Sequence, residues 1–300
     1  MKVLTSELRQ LVEKLEGDPT LMEPQQMTAR LAALDRLDAC LPLLPAADEN
    51  ASELHGRART LSDRLETANL AVHEAIRAEI RSGARPDMLL HWAHALMDRN
   101  SARPSGVHHY DSLDELVTGV LSFDEPEDSG IRPEPEKVLY QPTPARLIFN
   151  LLEETRLTAN DVLVDLGSGM GHVPLLAAIC TPAHCIGIEV EQAYIDRARQ
   201  CAQRLHLRRA HFIRQDARDA DCKAGTVFYL YTPFSGSILR RVLDRLRHEA
   251  STRTFRVCTY GPCAETVARE PWLKAEQEPQ AQRITVFATR AASSTRQSSA

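Results

Sequence analysis

The segment Val162-Leu163-Val164-Asp165-Leu166-Gly167-Ser168-Gly169-Met170-Gly171 constrains the fold most, because it places three glycines directly behind a short apolar run. An apolar run ending in glycine reads as a buried strand entering a tight turn, and Val173 to Ile179 beyond it as a helix. Glycines let the backbone take left-handed angles and come close to a ligand. The following helix presents unpaired N–H groups to polar or anionic ligand atoms. Such a loop binds a nucleotide-like molecule at the carboxyl edge of a sheet.

The surrounding pattern predicts that sheet. Strands are expected at Asp161–Leu166, Cys185–Glu189, His211–Arg214, Thr226–Tyr231 and Thr254–Tyr260, with helices at Gln192–His206 and Ile238–His248. Trp272–Glu278 and Arg283–Thr289 follow closely enough to form an antiparallel hairpin. Strands alternating with helices give a parallel sheet covered on both faces. The expected class is α/β: a Rossmann-like, doubly wound, seven-stranded sheet with a C-terminal antiparallel hairpin. An all-α module precedes it, because from Leu4 to Leu44 and from Ala51 to Arg81 apolar residues recur at helical spacing, as in Leu54, Ala58, Leu61, Leu65 and Val72. Met88 to Met97 adds a short helix. The expected division is a helical module over 1–100, an acidic, proline-containing linker over 101–137, the α/β domain over 138–292 and a disordered tail over 293–300. One helix, Leu113 to Leu121, is expected within the linker.

The spacing selects the cofactor. A dinucleotide fold uses G-x-G-x-x-G, whereas here the glycines fall at 167, 169 and 171. Asp165 would repel a pyrophosphate at this loop but suits the ammonium of an amino-acid tail. That favours S-adenosylmethionine over NAD. Glu189 ends the second strand, where a carboxylate can accept both ribose hydroxyls. Asp216-Ala217, after the third strand, places a carboxylate where it can take the exocyclic amine of adenine.

With these residues in order, the block from Asp161 to Arg290 resembles the catalytic domain of class I S-adenosylmethionine-dependent methyltransferases. The resemblance implies that Asp165, Glu189 and Asp216 hold the cofactor, with Gly167, Ser168, Gly169, Gly171 and Ala217 around them. The glycine loop together with the upstream Tyr140-Gln141-Pro142-Thr143-Pro144 is also similar to the protein-lysine branch related to the nucleosomal histone methyltransferases called disruptors of telomeric silencing. That resemblance implies that Tyr140 and Thr143 fold over the methionine end of the cofactor. Where amino-group methylases of bases and glutamine carry Asn or Asp before Pro-Pro-Tyr or Pro-Pro-Phe, this chain has Tyr231-Thr232-Pro233-Phe234. The departure speaks against adenine or cytosine amino methylation. It leaves Tyr231, Thr232 and Phe234, with Tyr260, as walls of a dry channel that favours a neutral lysine amine; Tyr231 and Phe234 are the candidate catalytic residues.

Charge and cysteine usage add bounds. The net charge of -5 divides into an acidic front, with 15 basic against 25 acidic residues over 1–140, and a basic back, with 21 against 16. The arginines at 204, 208, 209, 240, 241, 245 and 247 can form a phosphate-binding face or solvated helix surfaces; the second reading is preferred. Seven cysteines without a C-x-x-C pair read as structural thiols in a reducing compartment. No metal is expected: His91 with His94, and His108-His109, lack further ligands at useful spacing. No apolar run reaches a membrane span's length, so a cytoplasmic protein without membrane contact is expected. The acceptor stays open between a protein side chain, lysine foremost, and RNA or a small molecule, as does a cofactor-binding module without turnover. The helical module is available for substrate recognition or oligomerisation.

Overall fold

The computed structural model describes residues 2–43, 49–99, 111–123, 141–231, 234–280 and 282–290. Helices α1 (Lys2–Glu16), α2 (Met27–Cys40), α3 (Glu49–Arg81) and α4 (Asp87–Arg99) build the front, followed by α5 (Ser112–Leu121) and α6 (Ala145–Thr155). Then β1 (Val162–Leu166), α7 (His172–Cys180), β2 (His184–Glu189), α8 (Gln192–Arg204) and β3 (Ala210–Arg214) alternate. After β4 (Val227–Tyr231) come α9 (Gly236–Ala250), β5 (Arg256–Tyr260), α10 (Cys263–Ala268), β6 (Leu273–Ala275) and β7 (Thr285–Thr289). The seven strands order as β3-β2-β1-β4-β5-β7-β6, with β7 antiparallel to both neighbours. The expected doubly wound sheet and its closing hairpin are both present.

Strand alternation divides the core. Leu163, Cys185, Phe212, Val227, Tyr229, Cys258 and Val286 face one layer, packed with α6, α7 and α8. Val164, Leu166, Ile188, Phe228, Leu230 and Val257 face the other, under α9 and α10. The order reverses at β1, which sits between β2 and β4. Loops following strands that flank such a reversal part to opposite sides and leave a crevice at the carboxyl edge. The glycine loop opens onto that crevice.

The helices at the front contribute to two cores. Leu8, Leu11, Val12, Leu37, Leu54, Leu61 and Leu65 form a small core of α1, α2 and the first half of α3. From Val72 onward, α3, α4 and α5 share one continuous core with α6, α7 and the sheet. Helix α5 lies where a linker was expected, yet Leu113, Leu116, Val117, Val120 and Leu121 are buried. Its Asp111 and Asp114 make a capping box. The other Asp114 oxygen accepts from Ala145 N at 2.7 Å, satisfying an otherwise orphan donor at the start of α6. Arg146, one residue on, donates to the carbonyls of Leu96 and Met97 and to Asp111. The remainder of the expected linker, 101–110 and 124–137, lies outside the described residues, as does the tail.

No helix is long and apolar enough to cross a membrane among the described residues. Burial pushes the thiols of Cys180, Cys185, Cys201 and Cys258 up to about 12, and Cys222 to about 11, so these thiols are packing groups rather than nucleophiles.

Candidate functional site

Register builds the site in rows. On the α7-facing side, Gly187, Asp165, Tyr229 and Cys258 stand side by side across β2, β1, β4 and β5. One step toward the carboxyl edge, Glu189 ends β2, while Tyr231 pairs with Tyr260. The lower row is dry: Asp165 is 4% exposed and Tyr229 1%. Burial, and then the charge of Glu189, push the Asp165 carboxyl up to about 8, so it keeps its proton at neutral pH in this state. An uncompensated buried carboxyl at a ligand-binding edge is a group that a cation would complete.

The glycine loop is held by the protein itself. Gly167 N and Ser168 N both donate to Ile188 O, at 2.9 and 3.0 Å, and Gly171 N donates to Ser168 O at 2.8 Å. Gly169 N donates to Glu189 Oε2 at 2.9 Å. A pyrophosphate-binding loop needs such N–H groups for its ligand; here four are already used. Two glycines are needed for close approach. A Cβ on Gly171, at φ +83, would sit 2.4 Å from Phe212, and one on Gly187 would sit 2.6 Å from both Phe212 and Ser168 Oγ. Space for the turn therefore depends on the second and third strands.

Glu189 joins the loop to the second strand. Its Oε1 accepts from Val190 N at 2.7 Å and Glu191 N at 3.0 Å, and its Oε2 from Gly169 N. Each oxygen carries two lone pairs, so Oε1 is filled and Oε2 keeps one acceptor site for a ribose hydroxyl. Glu189→Gln replaces one acceptor with an amide that opposes its own backbone donors. The variant is expected to lose about 1–3 kcal/mol of stability, read from the urea midpoint; an unchanged midpoint would mean that these bonds contribute nothing net.

Asp216 caps a short 3-10 turn and is gripped by Arg218, with Nε to Oδ1 at 3.0 Å and Nη2 to Oδ2 at 2.7 Å. An adenine amine would share it with this guanidinium. Ala217 packs against the α9-side core. Thr143 is buried, and its hydroxyl faces that of Tyr229 without a well-aligned hydrogen bond. Ser168 Oγ is buried and likewise unmatched. Tyr140, Thr232 and Pro233 lie outside the described residues.

The expected aromatic wall divides. Tyr231 and Tyr260 pack with ring centroids 5.2 Å apart at 49°. Phe234, 5% exposed, is instead buried in the α9-side core, on the opposite face of the sheet from Tyr231. The structure does not bring it to this wall. Tyr229 was not among the expected site residues; strand alternation, which puts 229 and 231 on one face, was the available signal.

All seven arginines are exposed, in line with the preferred reading of them as solvated surface, and several also make contacts within the chain. Arg204 reaches Leu121 O and Ser122 O, Arg209 reaches Ala178 O and Thr181 O, and Arg245 reaches Asp219 O and Ala220 O. Arg240 is paired with Glu270 and Asp244. They cap carbonyls and tie elements together. Among the described residues, no cluster of His, Cys, Asp and Glu suited to a metal is present.

Comparison with known proteins places this geometry. Residues 136–219 match the model of the family described as histone methylation protein DOT1, a stretch that includes Thr143, the glycine loop, Glu189 and Asp216 and stops before β4. No curated protein matches the chain. Among solved structures, an RNA methyltransferase from Salinibacter ruber in complex with S-adenosyl-L-homocysteine is similar at 24% identity, covering 51% of this chain and 95% of that one, with a TM-score of 0.42. A putative methyltransferase, yhhF, from Escherichia coli is similar at 17% identity, over 53% and 92%, with a TM-score of 0.42. TrmN from Thermus thermophilus shares 18% identity over 49% and 48%, with a TM-score of 0.38. The resemblance to the histone-methylation branch of the class I methyltransferases, read first in the loop and its upstream residues, is thus borne out over residues 136–219.

Proposed function

We propose that the chain is an S-adenosylmethionine-dependent methyltransferase whose acceptor is a protein side chain, with lysine as its amine. The observation that carries this reading is the buried Asp165 beside Glu189 at a glycine loop whose N–H groups are already used. The residues fit the cofactor: Asp165 is a carboxyl in want of a cation, and Glu189 Oε2 keeps one lone pair for a ribose hydroxyl. Asp216 and Ala217, in the turn after β3, are the residues assigned to the adenine in this reading.

The bound cofactor supplies an electrophilic methyl group on a sulfonium. The chain contributes position and dryness. Displacement at carbon needs nucleophile and methyl held in line, so geometry counts for more than a general base. Tyr231 and Tyr260 stand at the carboxyl edge on the Asp165 side of the sheet, where an aromatic wall lowers the local dielectric and favours a neutral amine. The protein acceptor is supported by the family match at the cofactor-binding half.

The test is methyl-labelled S-adenosylmethionine with a cell extract, followed by separate protease and ribonuclease digestion. Label released by protease and recovered as methyl-lysine after acid hydrolysis is expected. Label released by ribonuclease alone would replace the acceptor with RNA.

A further inference from the structure

Tyr229 is 1% exposed, and among the described residues its hydroxyl faces only the Thr143 hydroxyl, with no well-aligned hydrogen bond. A buried hydroxyl without a partner is unfavourable, and phenylalanine would fill the same volume without that penalty. Ser168 Oγ, at the start of the glycine loop, is buried and unmatched as well. These orphan groups belong to the strand and loop that flank Asp165: Tyr229 is its cross-strand neighbour on β4, and Ser168 follows it by three residues. The row is arranged for a charge state other than the one that the unliganded protein holds.

We infer that Tyr229 is a positioning residue for the cofactor's ammonium, donating its hydroxyl hydrogen to Asp165 when Asp165 ionises on binding. This inference rests on the reading of the site as one for S-adenosylmethionine. Without a ligand, Asp165 holds its proton and needs no donor. With an ammonium beside it the carboxyl gives up that proton, and a carboxylate in so dry a place requires donors to hold its charge. The donor must not itself lose a proton. Burial first, and then the Asp165 charge, hold the Tyr229 phenol well above its ordinary range, while the Thr143 hydroxyl acts in the opposite direction. The other titratable groups facing the pair are Glu189 on β2, Tyr231 on β4 and Cys263 at the start of α10. Among them, only Tyr229 combines a cross-strand position beside Asp165 with an unmatched hydroxyl.

The test is calorimetric titration with S-adenosylhomocysteine from pH 6 to 9, on wild type, Tyr229→Phe, Asp165→Asn and the double variant. The ligand's own amine titrates identically in every arm. Wild-type affinity is expected to rise with pH and level off near 8. Tyr229→Phe is expected to bind about 10-fold more weakly at pH 7, with the levelling point displaced upward and an unfolding temperature equal to or above that of wild type. In the Asp165→Asn background the same change is expected to have no further effect on affinity. Equal affinity and an unmoved profile in Tyr229→Phe, or losses that simply add in the double variant, would overturn the inference while leaving the cofactor reading intact. A wild type that binds no S-adenosylhomocysteine would overturn both.

Discussion

At pH 8, Asp165→Asn is expected to make the unliganded protein more stable than wild type, while weakening S-adenosylmethionine binding by about 100-fold or more. Both effects have one cause. The carboxyl is raised from its ordinary 3.8 to about 8 by burial and by Glu189. A raised carboxyl lends the fold a contribution that is complete below the unfolded value, near 3.8, and is lost progressively as pH climbs through the folded value, near 8. Each unit of that window is worth about 1.4 kcal/mol. Asparagine keeps the shape of the protonated acid and does not titrate. The variant should therefore match wild type near pH 4, gain on it up to about pH 8, and stay level above. It also removes the negative charge that an ammonium needs in a dry site, where leaving one partner unpaired costs about 2–5 kcal/mol. Thermal unfolding at several pH values, with calorimetry of the cofactor, checks both. Parallel stability profiles for the two proteins would contradict the raised carboxyl, and unchanged affinity would remove Asp165 from the site.

The largest loss of stability is expected far from the cofactor. Arg30 on α2 is 0% exposed, and its charge is solvated by the protein. Nε meets Asn69 Oδ1 at 2.6 Å, Nη1 meets Leu21 O at 2.8 Å and Glu23 O at 2.6 Å, and Nη2 reaches Pro24 O at 3.4 Å. These carbonyls belong to the turn between α1 and α2, so a single guanidinium closes that turn and fastens it to α3. Arg30→Ala leaves Asn69 Oδ1 and Leu21 O buried without this donor and opens a cavity, for an expected loss of about 3–5 kcal/mol. Denaturant unfolding reads the loss directly. Affinity for S-adenosylhomocysteine, measured well below the transition, should stay near that of wild type, because the site's contacts come from the sheet and α6. A loss under about 1 kcal/mol would mean that water or other groups replace the guanidinium.

The sheet was legible because its strands are short apolar runs that end in glycine, acid or turn residues, and because loops that short leave little freedom in topology. The placement of Asp165, Glu189 and the glycine loop was legible for the same reason: each lies at or near the end of a strand. Long-range partners were not. Asp114 stands in an acidic stretch that reads as solvated, and only the fold reveals that it caps a helix 31 residues later. Arg30 and Arg245 read as ordinary helix arginines, since a sequence shows a charge but not the carbonyl it will meet. Tyr229 was not singled out, although period-two alternation already set it on the face of Tyr231; its place beside Asp165 comes from the pairing of β1 with β4. Phe234 misled in the opposite direction: beyond the last residue of β4 the alternation no longer fixes a face, and the ring turned to the α9 layer.

The most direct measurement is calorimetric titration of the wild-type protein with S-adenosylmethionine, S-adenosylhomocysteine and NAD under one buffer condition. A carboxyl awaiting an ammonium, and a glycine loop with its N–H groups already used, require binding of the first two and none of NAD. Binding of NAD in their place would show that the loop accepts a pyrophosphate after all, and would contradict the account at its centre.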